Sequence, residues 1–227
     1  MKHIFLALFI GICANAADMD NTEADEYKIG KKIYELTCKS CHGEHGEADE
    51  ELSFVVRPRN LQLSIRTKEQ MYLVIRDGAH RWGAHADIMP SFKSVYSDKE
   101  LHGVAAYVAG FNAGVEQKTD ELMAKSEKIP EDKLSKMYAR GKKIYKRNCS
   151  WCHGISGGGD GEATHNPELS IFPYVLKKSI LTEDQIFLYV KYGGKYWGTY
   201  KDDMSAWSVK YDDFTLKSVA KYIKNEL

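Results

Sequence analysis

The sequence has little cysteine or proline, no excess of either charge, and no long apolar run beyond its first residues. Its 227 residues include five cysteines and five prolines, and 32 basic residues balance 32 acidic ones. Without a basic excess we expect no nucleic-acid partner. Without a run of about 20 apolar residues we expect no stable membrane insertion. The remaining composition, with 43% hydrophobic and 28% charged residues, is ordinary for a globular protein.

The first 16 residues have the pattern of a secretory signal peptide. Lys2 and His3 precede a short apolar stretch, which ends in the A-x-A cleavage pattern of residues 14–16. We predict cleavage after Ala16 and a periplasmic location. Cys13 then leaves with the signal, so that the mature chain keeps four cysteines.

These four cysteines form two motifs of the same pattern. Residues 38–42 and 149–153 both read C-x-x-C-H, the attachment signature of a c-type haem. On a helical turn, residues three and four apart share a face, so that two sulfurs can reach a porphyrin edge while the histidine reaches the iron. The sequence predicts two covalent haem c groups, the first bound by Cys38, Cys41 and His42 and the second by Cys149, Cys152 and His153.

Two other uses of paired cysteines fit the sequence less well. A zinc site with four cysteines usually has its pairs within about 20 residues of each other, whereas 107 residues lie between Cys41 and Cys149. A thioredoxin-like redox pair is expected beside alternating strands and helices. This sequence shows helical periodicity almost throughout.

The sequence contains one domain twice. Residues 27–34 recur as residues 138–145 at an offset of 111, which both motifs share. Four residues inserted before Pro173 raise the offset to 115 for the rest of the repeat. We predict a signal peptide over residues 1–16, an N-terminal domain over 25–113, a charged, solvated linker over 114–134 and a C-terminal domain over 135–227.

Each copy predicts the same three main helices and therefore an all-α fold. The first helix enters the haem motif, the second begins at a Thr-x-x-Gln capping box, and the third begins near Ser97 or Asp212. Gly30 and Gly141 lie inside the first helix of each copy. A glycine there weakens a helix, so that we expect a close crossing with the last helix.

A second axial ligand for each iron is predicted by the repeat. Met89 and Met204 are the methionines of the mature chain that occupy equivalent positions, 47 and 51 residues after their haem histidines. The other histidines do not repeat, and we expect them to be surface or linker residues. His85, close to Met89, remains the alternative ligand if the first haem is bound by two histidines.

On these residues the chain resembles a periplasmic dihaem cytochrome c of class I, the methionine-ligated kind. The resemblance covers essentially the whole mature chain and implies two tandem class I cytochrome c domains that arose by internal duplication. Similar domains form the soluble part of the c-type subunits of cbb-type oxidases, from which we expect this chain to differ in lacking a membrane anchor. It departs from the usual Met-Pro pair at Met204, which Ser205 follows.

The resemblance also implies partners for the haems beyond the iron ligands. Each haem histidine should donate a hydrogen bond from its second ring nitrogen to a backbone carbonyl. The loops at Pro58 and Pro173 are expected to supply these carbonyls. Haem propionates are expected to pair with two arginines in the first domain and with one of two aromatic residues in the second, namely Arg57 and Arg59, and Trp197 or Tyr192.

Filled axial positions favour electron transfer over catalysis, because a His/Met-ligated iron offers no vacant site to a substrate. We therefore predict an electron carrier or relay between respiratory redox partners, not an enzyme. The alternatives are a peroxidase-like dihaem enzyme and an electron-transfer subunit of a larger oxidoreductase or oxidase. Residues 25–111 carry a net charge of −1 and residues 136–227 one of +5. The second domain is expected to attract an acidic partner through four lysines, Lys177, Lys178, Lys191 and Lys195.

Overall fold

The computed structural model describes residues 16–48, 58–84, 88–166, 173–199 and 204–227, and these residues contain helices and loops but no strand. The all-α prediction is confirmed. The predicted signal peptide, apart from Ala16, lies outside the described residues. The α-helices are α1 (Ala16–Ile33), α2 (Lys39–His42), α3 (Lys68–Asp77), α4 (Asp98–Phe111), α5 (Val115–Ala124), α6 (Glu131–Ile144), α7 (Ser150–His153), α8 (Glu183–Tyr192) and α9 (Asp213–Glu226).

The middle helices begin at the predicted capping boxes. The Thr67 hydroxyl accepts a hydrogen bond from the Gln70 N–H, and the Gln70 side chain accepts one from the Thr67 N–H. Thr182 and Gln185 repeat this arrangement at the start of α8. Such reciprocal bonds satisfy N–H groups that a helix start leaves without intrahelical partners, which is why the sequence fixes these boundaries well.

Each copy is held together by a crossing of its first and last helices. A Cβ atom on Gly30 would lie 1.8 Å from the Gly103 carbonyl oxygen in α4. One on Gly141 would lie 1.9 Å from the Ser218 carbonyl oxygen in α9. Only glycine permits backbones this close. The predicted reason for the two glycines is confirmed.

Two apolar cores result, one in each copy. Tyr34, Leu101 and Val104 are buried in the N-terminal core, and Tyr145 and Leu216 in the C-terminal core. Met71, at the position that Ile186 occupies in the second copy, is also buried and belongs to the N-terminal core.

The segment between the copies is more than a solvated linker. It contains α5, in which Val115, Leu122 and Met123 lie on one helical face and pack against the C-terminal core. The Lys118 ammonium lies 4.1 Å from the centre of the Tyr196 ring on the same side. The segment was expected to be a charged, solvated linker, and the structure adds that three spaced apolar side chains hold part of it as a short helix against the C-terminal core.

The two copies pack against each other with approximate two-fold symmetry. The side-chain amides of Gln70 and Gln185 donate to each other, at 2.9 and 3.0 Å. Each amide also donates to a carbonyl of the opposite copy, that of Ile180 for Gln70 and that of Ile65 for Gln185. Residues 65 and 180 are themselves equivalent in the repeat. Each hydrogen bond that one copy makes across this interface is therefore matched by the equivalent bond from the other copy.

Two backbone hydrogen bonds extend this symmetry. The Asn60 N–H donates to the Gly198 carbonyl at 3.0 Å, and the Val175 N–H donates to the Gly83 carbonyl at 2.8 Å. Ile65 of the first copy is buried in the C-terminal core.

In the part of the chain described here, no helix is long and apolar enough to span a bilayer.

Candidate haem sites

Each C-x-x-C-H motif lies on a continuous series of helical turns. In the first copy α1 passes into a π-helical turn, Tyr34–Cys38, which leads directly into α2. The second copy repeats this series over residues 145–153. Gly43 and Gly154, with φ of 80° and 77°, end the two motifs in conformations that side chains disfavour. Each motif is thus helical, as its spacing predicts, and residues three and four apart share one face of the helix.

The cysteines and methionines of each copy meet at the same core. Cys38 and Met89 both pack against the N-terminal core, and Cys149 and Met204 both pack against the C-terminal core. Burial raises the pKa of Cys38 to about 11 and that of Cys149 to about 12. Such thiols stay protonated at neutral pH, unlike the thiolates of redox-active or metal-binding cysteines.

The haem histidines are oriented by backbone carbonyls. The Nδ1–H of His42 donates to the Arg59 carbonyl at 3.2 Å, and that of His153 donates to the Tyr174 carbonyl at 3.0 Å. Arg59 follows Pro58 and Tyr174 follows Pro173, so that the loops predicted to supply these carbonyls do so. Burial lowers the pKa of both histidines, which keeps the rings neutral. Nε2 is thereby left as the nitrogen that can bind a metal.

A buried tyrosine fixes the end of each motif. The hydroxyls of Tyr34 and Tyr145 donate to the carbonyls of Gly43 and Gly154, each at 2.7 Å. Both tyrosines are fully buried, and burial raises the pKa of their hydroxyls. Sequence reasoning missed this role, although the recurrence of a tyrosine four residues before each first cysteine was a usable signal.

The loops that carry Met89 and Met204 are anchored alike. The Met89 carbonyl accepts from the Ala79 N–H at 3.1 Å, and the Met204 carbonyl accepts from the equivalent Gly194 N–H at 2.7 Å. Both methionines are partly buried. The repeat therefore gives them the same backbone setting, whereas their assignment as iron ligands stays a prediction.

The competing histidines have other surroundings. His102 was expected at the surface, but its ring stacks on that of Tyr72, with centroids 3.8 Å apart. This contact gives the histidine a packing partner beside the apolar side of α4. His45, His80 and His165 are exposed, as expected, and His85 lies outside the described residues.

The structure shows the surroundings of three of the residues expected near the haem propionates. Trp197 donates its only side-chain N–H to the Leu188 carbonyl within its own copy, so that the side chain has no donor left for a propionate. Tyr192 stacks on the neighbouring Tyr196. Arg59 reaches into the opposite copy, where it donates to the Tyr189 hydroxyl and to the Trp197 carbonyl. Arg57 lies outside the described residues.

These residues fit covalent haem c. In each copy two thiols outside any disulfide lie on one helical turn, next to a neutral histidine whose Nε2 is left for metal binding. A methionine follows in the same core. Thioether bonds need the thiols, and iron binds both imidazole nitrogen and thioether sulfur. The donor set therefore matches haem and matches neither zinc nor a dithiol redox centre.

The comparison with a family model agrees with this chemistry. The family model described as cytochrome c oxidase, cbb3-type, subunit III matches the chain twice, over residues 25–108 and 136–223. No curated protein matches the chain. A solved chain of the Kuenenia stuttgartiensis reducing HAO-like protein complex is 22% identical, with a TM-score of 0.46, over 88% of this chain and 96% of that one.

Proposed function

Since this chain belongs to the family of cytochrome c oxidase, cbb3-type, subunit III, with two tandem cytochrome c domains, we propose that it is a periplasmic relay. It passes single electrons between respiratory partners through two covalently bound haem c groups. Haem c, when bound, supplies a reversible one-electron couple whose potential depends on its axial ligands and surroundings. The chain's own residues attach, orient and shield that group.

The observation that carries this proposal is the repetition of one complete donor set. In both copies a backbone carbonyl fixes the histidine Nδ1–H, and a methionine with an anchored carbonyl packs on the same core. Met89 and Met204 would hold the haem irons together with His42 and His153, which would leave no position for a substrate. Such a protein exchanges electrons and does no bond-making chemistry.

A spectroscopic experiment tests this assignment. The full-length protein is expected to carry two haems per chain and to show the far-red sulfur-to-iron absorption band when oxidised. Met89→Ala and Met204→Ala should each remove part of that band, while Met71→Leu, a change in the N-terminal core, should leave it unchanged. A band that survives both alanine substitutions, or rapid turnover of peroxide by the unaltered protein, would contradict the relay.

The family description also supports a role inside a larger complex. The matched model is named for an oxidase subunit, and its domains cover most of this chain. Native size analysis of the haem-loaded protein extracted from its own cells distinguishes the two cases. Co-migration with oxidase haems supports a subunit, and migration at the mass of one chain supports a free carrier.

Charge favours the C-terminal copy as the docking side for an acidic partner. Its net charge of +5 contrasts with −1 in the N-terminal copy. Among the predicted docking lysines, Lys177 and Lys195 are exposed. Lys191 is not available, because its ammonium pairs with Asp213 at 2.7 Å with both side chains largely buried. Lys178 lies 3.4 Å from the His80 ring.

Electron-transfer rates with an acidic redox protein test the docking side. Lys177→Glu and Lys195→Glu should slow association, and raising the salt concentration should weaken the unaltered protein's rate steeply. Lys32→Glu and Lys68→Glu, at exposed sites on the first copy, are the matched controls. Equal slowing by both pairs would remove the case for a docking face on the second copy.

Export is tested at the amino terminus. The proposed signal peptide predicts a mature chain that begins at Ala17 and is recovered from the periplasmic fraction with haem attached. Amino-terminal sequencing of that fraction gives the answer directly. An uncleaved haem-loaded chain in the cytoplasmic fraction would refute the location.

A further inference from the structure

A groove of about 660 Å³ lies between the two copies. The N-terminal copy contributes Arg81 and Trp82 to its lining, and the C-terminal copy contributes Lys177, Lys178 and Ser179. None of the described residues that line it is a predicted iron ligand. Because the copies pack with approximate two-fold symmetry, the chain has an equivalent place on the opposite side.

The helix α5 lies at that equivalent place, on the C-terminal copy. Tyr196 and Trp197 occupy the positions of Arg81 and Trp82 in the repeat. The Lys118 ammonium of α5 lies 4.1 Å from the centre of the Tyr196 ring and 5.6 Å from that of the Trp197 ring. The place that a helix fills on one copy is therefore the groove on the other.

The opposite wall of the groove has the same counterpart. Just before α5, the Asn112 side chain donates to the Ser64 carbonyl at 2.6 Å. Ser64 is the equivalent of Ser179, which lines the groove. Both walls of the α5 site thus correspond to walls of the groove.

Two apolar residues that are covered in the C-terminal copy are partly exposed in the N-terminal copy. Trp197 and Leu188 are each 1% exposed, in the core against which α5 packs. Their equivalents, Trp82 and Leu73, are only partly buried. In both copies the indole N–H donates to the carbonyl of the leucine, at 3.0 and 2.9 Å. The two pairs therefore differ in their cover and not in their own contact.

The groove has basic residues where the α5 site has neutral ones. Arg81 lies where the second copy has a tyrosine, and Lys177 and Lys178 lie where the first copy has Gln62 and Leu63. The ion pairs formed among the described residues include none of these three cations. An apolar surface with a charged rim is typical of a site for another protein, and the sign of this rim selects an acidic one.

The carboxylate of Asp77 in the groove does not cancel this charge. It pairs with the Arg76 guanidinium at 2.7 Å and lies 4.0 Å from the Lys93 ammonium. Its own charge is therefore balanced by two cations that are not part of the lining.

We propose that this groove binds an acidic amphipathic helix of a partner protein, in the way that α5 lies on the C-terminal copy. The apolar side of that helix covers Trp82 and Leu73, and its carboxylates face Arg81, Lys177 and Lys178. Amphipathic helices bind to grooves through apolar residues spaced three and four apart, as in α5 itself. This interaction goes beyond the relay, because it needs no electron to pass.

A peptide of residues 113–126 that carries Lys118→Glu is the probe, since the new carboxylate would face Arg81. Its binding to the haem-loaded full chain is measured by fluorescence anisotropy of the end-labelled peptide at low ionic strength. We expect saturable binding to a single site. The same peptide with Lys118 retained should bind about tenfold more weakly, because two cations then meet. Leu122→Ser with Met123→Ser in the probe should also weaken binding, since they remove its apolar side.

Charge reversals in the full chain locate the site. Arg81→Glu and Lys178→Glu should each weaken binding of the probe about tenfold, because an attraction becomes a repulsion. Lys68→Glu is the matched control at an exposed position elsewhere on the N-terminal copy. Lys195→Glu, exposed but outside the groove, should also leave binding unchanged, although it should slow electron transfer with an acidic partner.

The outcomes separate this site from the relay. Absence of saturable binding, or binding that both Arg81→Glu and Lys178→Glu leave unchanged, would overturn the helix site. Dimers of the haem-loaded chain that Arg81→Glu dissolves would place a second copy of this chain in the groove and would overturn it as well. Because binding is measured without any redox step, none of these results bears on the relay, which is tested by haem content and by the sulfur-to-iron band.

Discussion

Replacement of Gly141 by alanine is expected to destabilise the C-terminal copy by about 2 kcal/mol, through overpacking at the crossing of α6 and α9. The new Cβ atom would lie 1.9 Å from the Ser218 carbonyl oxygen and 2.6 Å from its carbon. Ordinary contact begins at about 3.4 Å. Since the obstacle is backbone, no change of side-chain conformation relieves it, and the helices must separate.

The magnitude combines two opposing effects. Overpacked core sites lose about 1–3 kcal/mol, and a clash with backbone belongs at the upper end of that range. Alanine is the better helix former, and it returns about 1 kcal/mol within a helix. The difference, about 2 kcal/mol of net loss, corresponds to a fall in Tm of about 4–8 °C for a chain of this length.

Thermal unfolding of the haem-loaded protein, followed by circular dichroism, measures this fall. Gly110→Ala is the matched control, because a Cβ atom there would meet nothing closer than 3.5 Å. That variant should be as stable as the unaltered protein or slightly more stable. If Gly141→Ala unfolded at or above the temperature of Gly110→Ala, the close crossing would be disproved.

Three further predictions concern single contacts. Tyr34→Phe leaves the partly buried Gly43 carbonyl without the Tyr34 hydroxyl as its donor and should lower the free energy of unfolding by about 1–3 kcal/mol in denaturant titrations. Gln185→Leu removes the hydrogen bonds that Gln185 makes across the interface with Gln70 and with the Ile65 carbonyl. Limited proteolysis should then cut between the copies faster, and unchanged cleavage would contradict this. Hydrogen bonds from Thr215 in the first turn of α9 lower the pKa of Asp212. The Asp212 carboxylate therefore stabilises the fold above the ordinary aspartate pKa, and this stabilisation is lost as the pH falls through the lowered pKa. Asp212→Ser should keep the cap and lose that acid dependence, which unfolding curves between about pH 2 and 5 would show.

Local signals in the sequence predicted local structure well. The capping box at Thr67 and the cap at Ser97 start helices where expected, because the bonds involve residues only three positions apart. The repeat predicted the crossing at Gly30 for a different reason, since an equivalent glycine inside both first helices needs a shared cause. The prolines before Arg59 and Tyr174 marked the loops that hold the haem histidines.

Contacts between distant residues were not predictable in the same way. Gln70 was assigned to its cap, which uses only its oxygen, and nothing in the sequence showed that its amide nitrogen crosses to the other copy. Lys191 was counted as a surface charge, although Asp213 faces it. The π-helical turn before each motif also went unpredicted, because its single extra residue leaves no compositional trace.

The symmetric meeting of the copies has a consequence for how the duplicated chain can differ from a pair of separate subunits. In a symmetric dimer of identical chains, every interface residue is present twice, once in each chain, and both copies have the same surroundings. An arginine at position 59 would then bring a second guanidinium to the position of Tyr174, and two like charges would repel each other at short range. A tandem chain escapes this constraint, because each of its two positions can change alone. Covalent fusion is what allows a single charge to lie off-centre at an otherwise symmetric junction.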